Sequence, residues 1–444
     1  MKRRDFLKTG AMAGVGAGIT VLNFPVFGKN APSNKLVIGM MGVNSRGNWL
    51  AKVASKLPNA EVGFICDVDD VAAGKGLKAV SQQARKPEVL KDVRKMLERK
   101  DLDAVMIAAP DHWHAPAAIM ACAAGKHVYV EKPVGHNPCE GEMVVEAAAK
   151  YNRTVQMGNQ RRSWPNMRQA YKEIHEDGII GRVYFARGWY VNDRKPIGVG
   201  KKVPVPANLD WNLWQGPAPR RDFIDNVVHY DWHWRWQWGT GEACNNGTHE
   251  VDCMRWFMGV DYPTTVTSSG GRFAYSGDDW ETPDTQTITF NFEGNRAIVW
   301  EGRSSHPYKL EGSGRGFTIF GEKGSLYCDG GDSYKIMDLK GAVVKEVKES
   351  KTENRDATNV VSPAGEFLDA VHISNWMETI RGNAKLNYGI LEGSKSVLLC
   401  HLGNISQRTG SILTTDPKNG HILHNKEAAA LWGRSYEKGW EPKV

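Results

Sequence analysis

One stretch constrains the fold of this chain more than any other: LVIGMM (36–41), then GVNSRG (42–47), then NWLAKVASKL (48–57). The first is a short apolar run between polar residues, the pattern of a buried parallel strand. The last has helical spacing. A glycine-rich turn between a strand and a helix is the context that gives a G-x-G-x-x-G-like match its meaning. Free N–H groups and the dipole at the helix N-terminus favour a pyrophosphate. The middle glycine is replaced by Asn44, which tolerates a left-handed backbone better than most residues, so the turn is expected to survive. Gly42, Asn44, Ser45 and Arg46 are therefore candidate dinucleotide contacts. A second strand, EVGFIC (61–66), ends in Asp67. An acid about twenty residues past the turn is placed to accept from ribose hydroxyls and would repel a 2′-phosphate, which favours NAD over NADP.

The alternation continues through DAVMIAA (103–109), the helix APAAIMACAAG (115–125), HVYV (127–130), the helix EGEMVVEAAAK (140–150) and TVQMG (154–158). Strands alternating with helices imply a doubly wound parallel sheet with right-handed crossovers, the N-terminal Rossmann half of an α/β protein. Residues at the carboxyl ends of such strands line the ligand crevice. Here they are Asp67, Pro110 to His114, Glu131, Lys132 and Asn159, which adds Pro110, His114, Glu131, Lys132 and Asn159 to the cofactor candidates. From about Arg182 the pattern becomes β: VYFARGWYV, DTQTITFNF, AIVWEGR, GFTIF, SLYCD and YKIMDL, split by Gly or Asp turns. Helical stretches follow at 364–382 and 390–407. Strands in a run after a βαβ region indicate a second, α+β domain.

Taken together, GVNSRG, APDHWH (109–114), EKP (131–133), GNQRR (158–162), GTHEVD (247–252), RGFTIFGEKGSL (315–326) and CHLGN (400–404) resemble the Gfo/Idh/MocA oxidoreductases, in that family's order and over nearly all of residues 33–410. The resemblance implies a Rossmann domain followed by a domain with an open antiparallel sheet. It also implies that Lys132 and His249 face a substrate beside the nicotinamide, and that carbohydrates are common substrates. The expected organisation is a signal segment (1–28), an NAD-binding domain (33–158), an α+β substrate and oligomerisation domain (159–410) and a C-terminal tail (411–444).

The first 28 residues carry Lys2-Arg3-Arg4-Asp5-Phe6-Leu7-Lys8 and then a small apolar segment, Gly10 to Phe27. They resemble a twin-arginine export signal, so a periplasmic location is expected. The apolar part is too short for a membrane span. The signal contributes +3 of the net +7, and the remaining charge is scattered, which does not suggest nucleic acid. Seven cysteines without regular spacing are not a disulfide framework. Cys244, His249, Asp252 and Cys253 lie close, but only His249 and Cys253 have clean helical spacing, so no metal site is expected. The expected partners are a carbohydrate or glycoside and further copies of the chain. Trp232, Trp234, Trp236 and Trp238 alternate and would share one side of an extended segment, a mixed cluster in which some indole faces pack against a sugar and others, as for any single Trp, serve the core or a dimer interface. DWNLWQGPAP (210–219) reads as a structural loop.

Oxidising a secondary alcohol needs a hydride acceptor and a base. NAD would supply the first. His249 is the best base, because an imidazole titrates near working pH. Lys132 would hydrogen-bond the same oxygen and hold alkoxide charge. The resembled family commonly has an acid four residues before the histidine; this chain has Asn245, so proton transfer rests on His249 and Lys132. His136, Arg161, Asn245, Asn246 and Thr248 are candidate substrate contacts. The expected activity is oxidation of a sugar or glycoside hydroxyl, with C3 a candidate position. The alternatives are a glycosidase using NAD transiently, through oxidation and elimination, and a non-catalytic sugar-binding protein.

Overall fold

The architecture is described for residues 35–349 and 363–444 of a computed structural model. The proposed export signal lies outside the described residues. The first half alternates as read: β1 (Leu36–Met41), α1 (Arg46–Ala54), β2 (Ala60–Cys66), α2 (Asp70–Ala79), β3 (Glu88–Leu90), α3 (Val93–Leu97), β4 (Ala104–Ile107), α4 (Asp111–Ala123), β5 (His127–Val130), α5 (Pro138–Lys150) and β6 (Val155–Met157). The six strands form a parallel sheet in the order β3-β2-β1-β4-β5-β6. The order reverses between β1 and β4, and that switch point opens the crevice at the strands' carboxyl ends. Ile38, Met40, Met106 and Ile107 are fully buried in this sheet. Burying a side chain of that size stabilises by roughly 1.5–3 kcal/mol.

The second half begins with α6 (Pro165–His175) and β7 (Val183–Val191), then α7 (Trp211–Gln215) and α8 (Thr248–Met258). Next come β8 (Thr265–Gly271), β9 (Thr285–Phe292), β10 (Arg296–Arg303), β11 (Arg315–Gly321), β12 (Gly324–Cys328), β13 (Tyr334–Met337) and β14 (Val343–Val347). The chain closes with α9 (Pro363–Ile380), α10 (Ile390–Thr409), β15 (Leu413–Thr415), β16 (Ile422–Leu423) and α11 (Lys426–Ala429). Ten strands form the sheet β14-β13-β12-β11-β7-β10-β9-β8-β15-β16. It is antiparallel except where β7 runs parallel to β10, so it is a mixed sheet. One face packs on α8 and α10 around Phe257, Trp300, Ile319 and Leu399.

Chain order and spatial order differ in the last third. Ile373, Trp376 and Met377 of α9 share a core with Ile38 and Met40 of β1. β15 and β16, from the stretch read as a tail, extend the second sheet, while Trp440 and Val444 pack against the core of the first. Leu36–Val444 accordingly form one unit.

Two local readings need correction. The four alternating tryptophans do not lie on one extended strand, because Asp231–Trp234 is a 3₁₀ turn. Trp234 stacks on Trp280 at 4.1 Å, Trp238 packs edge-on to Trp211 and Trp214, and Trp236 lies under the Arg408 guanidinium. DWNLWQGPAP is not simply a loop: Asp210 caps α7 by accepting from the Leu213 N–H at 2.9 Å. Among the described residues no helix is long and apolar enough to cross a membrane, and all seven cysteines are free thiols.

Candidate active site

The carboxyl ends of β1, β2, β4 and β5 open into a cavity of about 560 Å³. It runs from Gly42, Asp67, Asp69 and Asp92 past Pro110 and Glu131 to Lys132, Asn245, Asn246, His249 and Arg315. At one end sits the glycine-rich turn. Gly42 has φ +80°, and a Cβ there would lie 2.8 Å from the Ala108 carbonyl oxygen and the Ala109 nitrogen. A Cβ at Gly47 would fall 1.8 Å from the Gly42 oxygen. Only glycine permits this close passage of strand, turn and helix. The left-handed residue is thus Gly42; Asn44, expected to tolerate that conformation, does not adopt it. Asn44 instead accepts from the Lys75 ammonium at 2.7 Å. Ser45 is the N-cap of α1 but forms no side-chain cap, leaving the first-turn N–H groups for an anion. Asp67 lines the same end. Its Oδ2 accepts from the Val43 N–H at 2.7 Å and its Oδ1 from the Asp69 N–H at 3.0 Å, which aims the carboxyl into the turn. Burial raises its pKa, and those two N–H groups oppose the rise. A turn that excludes Cβ atoms, an uncapped helix start and an acid at the β2 end fit a dinucleotide.

Arg46 has another role than a free phosphate ligand. Its Nη1 and Nη2 each donate to Asp369 of α9 at 2.8 Å, and its Nε donates to Glu131 at 2.9 Å. The Trp49 indole N–H also donates to Asp369, at 2.8 Å. Arg46 therefore ties the turn to the β5 end and to α9, and Glu131 is held by it.

Lys132 follows Glu131, and its bond to Pro133 is cis. Its ammonium donates to Asn245 twice, to Oδ1 at 2.8 Å and to the backbone carbonyl. Burial lowers its pKa, partly offset by Glu131, Asp111 and Glu242. Asn245 lies in the π-helical turn Ala243–Gly247, which feeds directly into α8. The Asn245 and Asn246 amides both donate to Glu242, a buried carboxylate that also receives Arg194 Nε at 2.7 Å and the Ser304 hydroxyl at 3.0 Å. Burial opposes its ionisation, but Arg194 and these hydrogen bonds outweigh that and hold Glu242 below the usual carboxylate range.

His249, in the first turn of α8, lines the cavity. Its pKa is driven well below the ordinary value, first by burial and then by Arg315, Arg161, Lys132 and Arg46. The imidazole is therefore neutral, the form that can accept a proton.

The cavity gathers most of the sequence candidates: Gly42, Asn44, Ser45, Arg46, Asp67, Pro110, His114, Glu131, Lys132, Arg161, Asn245, Asn246 and His249. Three candidates do not line it. His136 has both ring nitrogens buried without partners, away from the cavity. The Thr248 hydroxyl is turned back to the Cys244 carbonyl at 2.7 Å. The Asn159 amide donates to the Thr248 carbonyl at 3.4 Å. A second group lines the cavity but is already engaged. The ring nitrogens of His114 meet the Pro133 and Ala109 carbonyls at 2.6 and 2.7 Å, and Arg161 pairs with Glu250 at 3.1 Å. Residues the sequence reading missed include Trp164, Tyr230, His233 and Arg315. Tyr230 and His233 come from a long segment between β7 and α8 that has little periodicity, so no pattern marks them. Among the described residues no three His, Cys, Asp or Glu side chains cluster in a way that could hold a metal ion.

Comparison with known proteins agrees with this geometry. Residues 36–159 match the model of the GFO_IDH_MocA oxidoreductase family with an NAD-binding Rossmann fold, and residues 168–327 match the GFO/IDH/MocA C-terminal domain. An inositol 2-dehydrogenase from Rubrobacter xylanophilus is 30% identical over 319 residues, covering 70% of this chain and 74% of that protein. A glycosyl hydrolase family 109 protein from Saccharopolyspora erythraea is 30% identical over 217 residues, 44% of this chain, and the match spans about half (47%) of that protein. Two solved structures share the fold. A levoglucosan dehydrogenase in complex with NADH and levoglucosan has a TM-score of 0.63 at 18% identity, covering 86% of this chain and 99% of the other. The scyllo-inositol dehydrogenase from Lactobacillus casei with NAD(H) and scyllo-inositol has a TM-score of 0.63 at 19% identity and the same coverage. The paired domain matches and the likeness to a relative over 74% of its length place this chain in the Gfo/Idh/MocA family of NAD-binding oxidoreductases.

Proposed function

We propose that this chain oxidises a secondary hydroxyl of a sugar or glycoside, with Lys132 and His249 acting on the hydroxyl proton. The observation that carries the reading is that these two side chains, from opposite halves of the molecule, line one cavity that begins at the Gly42 turn. NAD, when bound, supplies the hydride acceptor. Neutral His249 takes the hydroxyl proton. Lys132 donates to the same oxygen and stabilises its developing negative charge, in a site where burial strengthens that interaction. Asn245 fixes the lysine, because both of its oxygens accept from Nζ. An amide at this position cannot take the proton itself, which leaves the transfer to His249. The relatives named for inositol and levoglucosan oxidation support a cyclic polyol or sugar as substrate.

A second reading is a glycosidase that oxidises the sugar transiently, eliminates the aglycone and restores the cofactor. The family 109 glycosyl hydrolase relatives favour it. One experiment separates the two. The purified protein is assayed for bound NAD by absorbance and mass, then mixed with a panel of sugars and aryl glycosides. Net NADH supports the dehydrogenase. Release of free sugar without net NADH supports the glycosidase. Neither product from any member of the panel removes both and leaves a sugar-binding protein. Export by the twin-arginine route is part of the same proposal. Replacing both Arg3 and Arg4 with lysine should trap the chain in the cytoplasm, and an unchanged periplasmic yield would refute the route.

A further inference from the structure

On the substrate side of the cavity two guanidinium groups share one carboxylate oxygen. Arg161 Nη1 donates to Glu250 Oε1 at 3.1 Å, and Arg315 Nε donates to the same oxygen at 3.0 Å. Both arginines line the cavity; Glu250 does not. The remaining donors differ. Arg161 Nη2 is used on the Gly330 carbonyl at 2.7 Å. Arg315 Nη2 lies 2.9 Å from Glu250 Oε1 but is not aligned to donate to it, and it is buried without a hydrogen-bond partner. Trp164 also lines the cavity. It is 3% exposed, its indole sits 5.7 Å from the Arg161 guanidinium, and its buried N–H has no acceptor. One spot therefore combines two guanidinium groups on one carboxylate with two buried donors, Arg315 Nη2 and the Trp164 N–H, and one buried acceptor, Glu250 Oε2, none of which has a hydrogen-bond partner. Idle donors of this kind cost free energy unless an acceptor meets them. The arginine fork matches a carboxylate in shape as well as charge.

We propose that Arg315, with Trp164, forms a subsite for an anionic group on the substrate, so that the preferred substrates are sugar acids: carbohydrates carrying a carboxylate as well as the hydroxyl to be oxidised. This rests on the reading that the cavity holds a carbohydrate beside the nicotinamide. It also gives the depressed basicity of His249 a purpose. Burial first, and then Arg315 and Arg161, hold the imidazole neutral in the free protein. A carboxylate bound between them and His249 offsets that field and strengthens the base only when substrate is present.

The test compares neutral methyl hexopyranosides with the corresponding methyl hexuronides, in gluco, galacto and manno pairs. Affinity for the NAD-loaded full-length protein is read by quenching of tryptophan fluorescence, and turnover is followed separately. In at least one pair the uronide should bind about tenfold tighter or better, the gain expected of one hydrogen bond to a charged group. That advantage should shrink as salt is raised. Arg315→Met should abolish the difference within the pair, and Arg315→Lys should restore part of it. Thermal melts and bound NAD confirm that both variants are folded. If no uronide binds tighter than its neutral partner in any pair, the proposal is overturned, whatever the turnover. A uronide preference that survives Arg315→Met overturns it too. Turnover of neutral sugars without a preference would sink the anionic subsite and leave the dehydrogenase reading standing. Uronide binding that depends on Arg315, without oxidation or elimination of any sugar, would do the reverse.

Discussion

The two ends of the cavity solve the problem of a buried arginine in opposite ways. At the cofactor end one guanidinium, Arg46, is held by two carboxylates, Asp369 and Glu131. At the substrate end two guanidinium groups, Arg161 and Arg315, share the single carboxylate of Glu250. The first arrangement is closed, since every arm of Arg46 has a partner within the chain. It joins three separate elements, the turn after β1, the end of β5 and helix α9. The second leaves an excess positive charge on two cavity-lining arginines, with buried donors beside them that lack acceptors. Local charge matching thus separates a scaffold from a binding surface, although both use the same side chain.

The largest effect expected is on chemistry at the point where the two ends meet. Lys132→Ala and His249→Ala should each lower turnover roughly a hundredfold or more, the usual cost of losing a positioned acid–base or charge-stabilising group. NAD affinity should change far less, because the Gly42 turn is untouched. Near-normal turnover in both variants would remove the mechanism. The next effect tests the comparison itself. Asp369 is 2% exposed and accepts three hydrogen bonds, from Arg46 and Trp49. Asp369→Ala should cost about 2 kcal/mol, because it leaves two arms of Arg46 and the Trp49 indole N–H without acceptors while Glu131 keeps only the Nε. Arg315→Met should cost clearly less, because Glu250 keeps Arg161. Denaturant midpoints that fall equally in the two variants would show that the ends are not different in kind.

The same division decides how much of the molecule can be read from its sequence. The cofactor half is written locally. An apolar strand, a glycine turn, a helix and an acid at the next strand end succeed one another within about thirty residues, and backbone sterics tie each to its place. The parallel sheet, Asp67 and Lys132 therefore come out of pattern alone. The substrate half is assembled across the chain. Trp164, Tyr230, His233 and Arg315 meet only after two sheets have folded, and nothing in a β-strand such as β11 marks which of its polar residues faces a cavity. Asn44 and the four alternating tryptophans show the converse error, in which a locally sensible rule is overridden by packing. Gly42 takes the left-handed position, and the 3₁₀ turn at Asp231–Trp234 sends the indoles to different neighbours. The export signal and oligomeric state have no counterpart in the described contacts.

Smaller effects should separate the ends further. Burial, together with the excess cations at the substrate end, keeps His249 neutral, so the acid limb of kcat/KM should lie well below pH 6.5. The sign follows from the depressed pKa: the active form is the unprotonated ring, and it persists as pH falls through the ordinary histidine value. Arg315→Met should move that limb upward. A wild-type limb at or above pH 6.5 would contradict the buried, cationic surroundings of His249. At the cofactor end, Asp67→Ala should narrow the preference for NAD over NADP by about tenfold, through loss of both repulsion and a ribose acceptor. Equal affinity of the unaltered protein for the two cofactors would refute the role of Asp67.

The smallest effect concerns a second contact between α9 and α1, and it isolates burial as the variable. Glu366 of α9 accepts from Lys56 at 2.5 Å, with Lys52 3.6 Å away. It thus links α9 to the α1 region, the same region that Asp369 grips through Arg46. The difference is solvent. Lys56 is 53% exposed and Glu366 30%, against 2% for Asp369. Water screens the outer pair and competes for its hydrogen bonds, so Glu366→Gln should cost only about 0.5 kcal/mol, and raised salt should erase that difference. The pH response has a definite sign. Lys56 lowers the folded pKa of Glu366, so its contribution is complete above the unfolded carboxylate range and is lost as pH falls through the folded value. A double variant with Asp369→Ala should lose little beyond Asp369→Ala alone. If removing Glu366 costs as much as removing Asp369, then charge contact and not desolvation governs how α9 is held, and the contrast between the two ends of the cavity loses its physical basis.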